Sequence, residues 1–429
     1  MSLTFYTLTS LARALLEPMS LVVLILIGII FYKKNKKITI MQKMVVGESL
    51  NSPLELTISE IVIGLMGSLI ASCLIGFFDI SFNENSMIDL MFLISIVFMF
   101  LKPRFICFSY SGALIGFLSL VFKEMSIILN DPTLDIFKID IVSIMSLVAI
   151  LHFVEGIMII IDGNRSSIPV FSKKKDKIYG GFVLKRYWIL PISLLFVINS
   201  LKLSGSVTSQ LYNWWPLAKE GIVPFSIGSV LITSMTVYGA IGYEAITFTR
   251  TREKKVISSG LGVMIYSIIL FSICTLFKGG LLQDIILIVF APIGHEAMIF
   301  LQKYIESKNR FIYESTDEGI MVLEVAPNSL AYTIGVRSGD LLIDINNKKI
   351  ENEKDIVEVI KDAPNYVKLI AKRISGDLKE FHYDNLISRA DFGAVFVPKS
   401  IPKGKEIIPI KEDNFKKVLD IAKEKHRNY

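Results

Sequence analysis

Nine apolar stretches, most of them close to the roughly 20 residues a helix needs to cross a bilayer, fill the first three hundred residues. They lie near 13–32, 61–80, 87–101, 105–122, 139–161, 187–203, 222–243, 256–277 and 283–301. A chain with so much apolar surface cannot be an ordinary soluble protein, and its 20% charged residues and mean hydropathy of +0.54 agree. The fold class expected is a polytopic α-helical membrane protein of about nine transmembrane helices with a small α+β domain at its carboxyl end. The boundaries read as 1–303 for the transmembrane domain, 304–380 for the α+β domain, and 381–429 for an extension whose Lys411 to Arg427 stretch forms a basic amphipathic helix. Phe415, Val418, Leu419 and Ala422 line the apolar side of that helix.

Charge placement sets an orientation, because cytoplasmic loops collect Lys and Arg. Basic clusters follow every second stretch: Lys33, Lys34, Lys36 and Lys37; Lys102 and Arg104; Arg165 and Lys173 through Arg186; Arg250 to Lys255; and Lys303, Lys308 and Arg310. The intervening loops lack them. The amino terminus is therefore expected outside, with the first stretch an uncleaved anchor, and the carboxyl-terminal domain in the cytosol. The net charge of +6 is not a nucleic-acid signal, since residues 301–429 hold 22 Lys+Arg against 21 Asp+Glu. The tandem Trp214-Trp215 fits an interfacial aromatic belt.

After Arg310 the pattern changes to period-two alternation, the signature of half-buried strands. Ile320 to Val325, Leu341 to Ile345 and Val367 to Ala371 carry it, and Glu353 to Lys361 places Ile356, Val359 and Ile360 at helical spacing. The run Ala326-Pro327-Asn328-Ser329-Leu330-Ala331, then Gly335, Gly339-Asp340 and Asn346-Asn347, resembles the PDZ domains of bacterial membrane and envelope proteins. In such domains a peptide joins the sheet as an added strand, its backbone supplying affinity and its side chains selectivity. The resemblance implies a loop at Glu318-Gly319-Ile320 and a groove along Ile320, Met321, Val322 and Leu323 facing Ile356, Val359 and Ile360. Glu318 departs from the apolar residue usual there, and its charge would repel a ligand carboxylate, so an internal strand is also an acceptable ligand.

Ionisable residues inside apolar spans are costly and often functional. His152, Glu155 and Asp162 lie in the fifth stretch, and His295 and Glu296 in the ninth. Together they hold the ligand types of a metal centre, and the sharp version is an intramembrane metalloprotease of the site-2 type. Half of that motif is missing. Position 299 is Ile where a second histidine would stand, and Asp162-Gly163 precedes the His-Glu pair instead of following it. The expectation is no catalytic residue, no cofactor and no metal, with these five residues pairing structurally. Cys73, Cys107 and Cys274 sit at no metal-ligand spacing and read as buried thiols. No phosphate-binding glycine loop, nucleophile elbow or solenoid repeat is present.

Many spans followed by one cytosolic PDZ domain resemble the MinJ-type division-site proteins of Gram-positive bacteria. The strings carrying this are His152-Phe153-Val154-Glu155-Gly156, Gly181-Phe182-Val183-Leu184-Lys185-Arg186-Tyr187-Trp188 and Gly294-His295-Glu296. The resemblance implies a scaffold at septum and poles that bridges a DivIVA-type polar protein to division-inhibitor proteins, with no nucleic-acid partner. The other function class is the site-2-like metalloprotease or an inactive relative of one.

Overall fold

The computed structural model describes residues 3–82, 86–101, 107–131, 133–134, 139–174, 177–199, 225–227, 230–277, 279–362, 366–384 and 392–399. Trp214-Trp215 and the Lys411 to Arg427 helix expected from the sequence lie outside them.

The first apolar stretch is broken. Helix α1 (Leu3–Leu16) ends before Glu17, and α2 (Pro18–Val46) restarts with proline in its first turn. The residue before a proline is pushed out of the helical region, and Glu17 is extended at φ −68°, ψ 134°. The lysines at 33 to 37, expected in a loop, are inside α2. Helix α3 (Pro53–Phe77) is followed by a two-residue strand β1 (Ser81–Phe82) and by α4 (Ile88–Leu101). With 14 residues, α4 is about 21 Å long and too short to cross alone. Helices α5 (Phe108–Leu129) and α6 (Ile141–Asp162) follow.

Where they are described, the sixth and seventh stretches form strands and not helices. After β2 (Ile168–Lys174), the chain forms β3 (Lys177–Asn199), then β4 (Phe225–Ile227) and β5 (Val230–Thr247). Strands β3 and β5 pair antiparallel along their whole shared length, from Phe182↔Thr247 to Asn199↔Val230. The sheet order is β1-β3-β5-β4, with β2 on the first part of β3. Hydropathy cannot separate a span from a strand buried on both faces. The distinguishing signal is the density of β-branched and aromatic residues, together with Gly180, Gly181 and Pro191 in β3 and Gly239 and Gly242 in β5. Helix α3 packs along β3, and Trp188, Leu190, Ile192 and Leu194 are fully buried.

Helices α7 (Arg252–Leu276) and α8 (Leu281–Lys308) complete the apolar part. Among the described residues, five helices are long and apolar enough to cross a membrane: α3, α5, α6, α7 and α8. The expected count of nine is not confirmed. Helices α6 and α7 cross where a Cβ on Gly260 would sit 2.5 Å from the Gly156 carbonyl oxygen, the close backbone approach that small residues permit between membrane helices.

The carboxyl-terminal part comprises β6 (Ile320–Val325), α9 (Leu330–Ile334), β7 (Leu341–Ile345), β8 (Lys348–Lys349), α10 (Glu353–Lys361), β9 (Tyr366–Lys372), β10 (Leu378–Asp384) and β11 (Ala394–Val397). The Asn346-Asn347 pair, both residues at positive φ, makes the two-residue turn joining β7 to β8. Asn352 and Asp355 form a capping box that starts α10. The sheet order is β10-β9-β7-β6-β11, so the sheet extends beyond residue 380, where the sequence reading ended the domain.

Candidate functional site

The site expected at Ile320 to Leu323 has no open edge. Strand β6 is bonded to β7 on one side, at Ile320↔Leu342 and Met321↔Leu341, and to β11 on the other, from Ala394↔Val325 to Val397↔Met321. Its faces are closed too. Ile320 and Val322 join the core that contains Ile356, Ile360, Phe392 and Phe396, with Val359 packed at its margin. Met321 and Leu323 point the other way, into the core shared with the long sheet and α6. Period-two alternation with both faces apolar is thus explained by burial on both sides. Gly319 is required by packing, since a Cβ there would lie 2.1 Å from the Leu342 carbonyl oxygen. Glu318 is exposed and paired with Lys372 at 3.1 Å, so its charge is screened.

The sheet ends on two strands, β10 and β11, and the outer side of β11 pairs with no strand among the described residues. The Gly393 carbonyl accepts the Ala326 amide at 2.8 Å. Alternate residues of an antiparallel strand direct their N–H and C=O groups to opposite sides, so Ala394 turns its own pair outward. Ala394 and Val395 are half-buried, while Phe396 and Val397 are buried, the latter packed over Gly180 of β3.

That last contact belongs to a junction between the two parts of the chain. The Gly180 amide donates to the Tyr313 carbonyl at 2.9 Å, and Ile312 N–H to the Phe248 carbonyl at 3.2 Å. Lys177 pairs with Glu314 at 2.6 Å, and Arg252, in the first turn of α7, pairs with Glu324 of β6 at 2.6 Å. Burial pushes the Glu324 carboxyl above its ordinary range, and Arg252 acts against that rise.

The intramembrane residues separate into two groups. Asp162 is far from a ligand role: it accepts from Arg165 Nε at 3.0 Å, Arg186 Nε at 2.8 Å and Trp188 Nε1 at 2.9 Å. Arg186, wholly buried, also reaches Glu60 at 3.2 Å and Ser59 at 2.6 Å. His152 and His295, by contrast, come together with a third residue that stands at no metal-ligand spacing in the sequence. Cys107, at the start of α5, places its Sγ 2.9 Å from His152 Nε2 and 3.7 Å from His295 Nε2. All three ligand atoms lie within 4.8 Å of one another. Glu155 Oε2 stands 4.0 Å from His152 Nε2. Ser109, Tyr110 and Tyr266 border the cluster. The corrected features are Cys107 and the relation between distant helices, neither of which has a local spacing signal.

Comparison with known proteins fits this division. A PDZ domain model matches residues 321–371, so the terminal sheet is a PDZ domain. The chain is 23% identical over 239 residues, 52% of its length, to the cell division topological determinant MinJ of Bacillus subtilis (strain 168). The chain covers 55% of MinJ, about half that relative's length. A second likeness, 40% over 52 residues, is to a probable periplasmic serine protease do/HhoA-like of Haemophilus influenzae. It covers 12% of this chain and 11% of that protein, a module's worth of similarity and no basis for a shared reaction. No solved structure matches. The chain is thus similar to MinJ over about half its length, carries a PDZ domain, and has helices long and apolar enough to cross a membrane.

Proposed function

We propose that this protein is a membrane-embedded scaffold of cell division that holds a partner through its PDZ sheet, the partner adding a strand to the outer edge of β11. The observation carrying this reading is the outward-turned backbone of Ala394 at an edge with no strand partner among the described residues. The likeness to MinJ supplies the division context. A strand-forming segment of a polar scaffold of the DivIVA type or of a division-inhibitor protein is the partner class that context supports.

The PDZ domain faces the cytosol in this reading. Lys173, Lys174 and Lys177 of the β2–β3 hairpin, Arg250 and Arg252 before and within α7, and Lys303, Lys308 and Arg310 at the end of α8 gather at the end of the bundle that carries the PDZ domain. Basic residues concentrate on the cytoplasmic side. This support does not depend on counting spans.

The test uses two substitutions at one position. Ala394→Pro removes an outward N–H without touching the ladder to β6, whereas Ala394→Val keeps it. Co-purification of division proteins and placement at septum and poles should fail in the proline variant and persist in the valine variant, with both inserted in the membrane. Equal partner retention by the two variants would show that strand addition at β11 is not the mode of binding.

A further inference from the structure

We infer that Cys107, His152 and His295 form a binding site for one divalent metal ion of the zinc class, clasping α5, α6 and α8 inside the bundle. The first support is proton bookkeeping. His152 Nδ1 lies 2.7 Å from the Val148 carbonyl oxygen, which can only accept, so the proton sits on Nδ1 and Nε2 carries a lone pair. Tyr110 gives its hydroxyl proton to Glu296. The contact of 3.3 Å between that hydroxyl and His295 Nδ1 is therefore donated by the imidazole, and His295 Nε2 also carries a lone pair. Ser109 does not relieve the excess: the Tyr266 hydroxyl donates to the Ala291 carbonyl at 2.7 Å, which leaves Ser109 to donate to Tyr266 at 2.8 Å.

Two imidazole lone pairs thus converge on one thiol, whose single proton can serve only one of them. A cation serves all three. Both histidines have the outer hydrogen bond that fixes a metal-binding tautomer.

Spacing and charge agree. Tetrahedral zinc with ordinary Zn–S and Zn–N bonds places sulfur and nitrogen about 3.6 Å apart, close to the 3.7 Å between Cys107 and His295. The 2.9 Å to His152 has to open by less than about an ångström on binding. A divalent ion in a low-dielectric bundle needs negative charge nearby. The Cys107 thiolate supplies it, its proton leaving to solvent on binding. The mixed thiolate and imidazole donors select zinc over magnesium or calcium.

The experiment measures metal in the full chain purified in mild detergent, after incubation with zinc and desalting. About one zinc per chain is expected. Cys107→Ser and His295→Ala should lose it, while Cys73→Ser and Cys274→Ser retain it. Cobalt loading of the unsubstituted chain should give a thiolate-to-cobalt charge-transfer band, absent from Cys107→Ser, so a variant that misfolds does not remove the test. No zinc and no cobalt band in the unsubstituted chain, or full zinc in the Cys107→Ser chain, would overturn the assignment.

Discussion

Arg252 donates to Glu324 across 2.6 Å, and with that bond the first turn of a membrane helix holds the first strand of the PDZ sheet. The same guanidinium reaches Ser167 at 2.9 Å and lies 4.8 Å from the ring of Phe182. The PDZ domain is therefore seated on the apolar part by charge, hydrogen bonding and packing together. Its β11 edge has a set direction relative to the helices.

Arg252→Ala should release this seat. Removing one member of a buried pair strands the other, at a cost of about 3 kcal/mol. The expected result is faster proteolytic cleavage between α8 and β6 in membranes, with the helices still inserted. Unchanged cleavage would mean that packing around Tyr313 and Gly180 holds the junction alone.

The pH dependence at Glu324 has a defined sign. Its carboxyl is raised by burial above the ordinary 4.5 despite the opposing Arg252 charge, so the folded chain keeps a proton that the unfolded chain releases. That contribution to stability is complete below the unfolded value and is lost as pH rises through the folded one. Thermal unfolding at about pH 5 and about pH 8 should show a junction less stable at the higher pH, and Glu324→Gln should flatten the difference. A steeper difference in Glu324→Gln would contradict the assignment.

Ile320→Lys should act on stability before it acts on binding. Ile320 is 3% exposed within the PDZ core, and an unpaired ammonium there costs several kcal/mol. Loss of the folded PDZ signal in hydrogen exchange is expected, in contrast to the Ala394→Pro chain, which should keep its protection. A protected, folded Ile320→Lys domain would put the open groove back at β6.

Gly260→Val should separate α6 from α7. The added Cβ alone meets the Gly156 carbonyl oxygen at 2.5 Å and Ile160 Cγ1 at 2.6 Å, and overpacking of this kind costs about 1 to 3 kcal/mol. A lower melting temperature in detergent, or reduced accumulation in membranes, is the readout.

Arg186→Ala leaves Asp162 and Glu60 buried without their shared cation, a loss of about 3 to 5 kcal/mol. Arg186→Ala combined with Asp162→Asn and Glu60→Gln should recover part of it. Failure of the triple variant to recover any stability would show that the guanidinium acts through packing.

The PDZ domain was legible because turns leave local marks: Asn346-Asn347 and Gly339-Asp340 each fall where a specific backbone geometry needs them. The strands β3 and β5 were not, because Leu190 to Phe196 and Val237 to Ile241 are apolar on both faces and read as spans by hydropathy alone. The lysines of α2 and the buried Arg186 then counted as loop charges they are not. At the cluster, His152 and His295 were visible as costly groups in apolar sequence. Cys107 was not, because its partners are 45 and 188 residues away and only the packing of α5 between α6 and α8 joins them. The pairing of β6 was hidden for a similar reason: β11 lies past a stretch with no strand signal and pairs back to the first strand of the domain.

That return of β11 gives synthesis an order. Until Ala394 to Val397 leave the ribosome, β6 presents an unpaired edge lined with Ile, Val and Leu, the sort of template on which nascent chains aggregate. A message truncated after β10 would yield a protein with its membrane helices complete and this edge permanently bare. Such a product would present the groups that β11 normally occupies, and would be expected to recruit stray strands, including β11 of intact copies, in place of its proper partner.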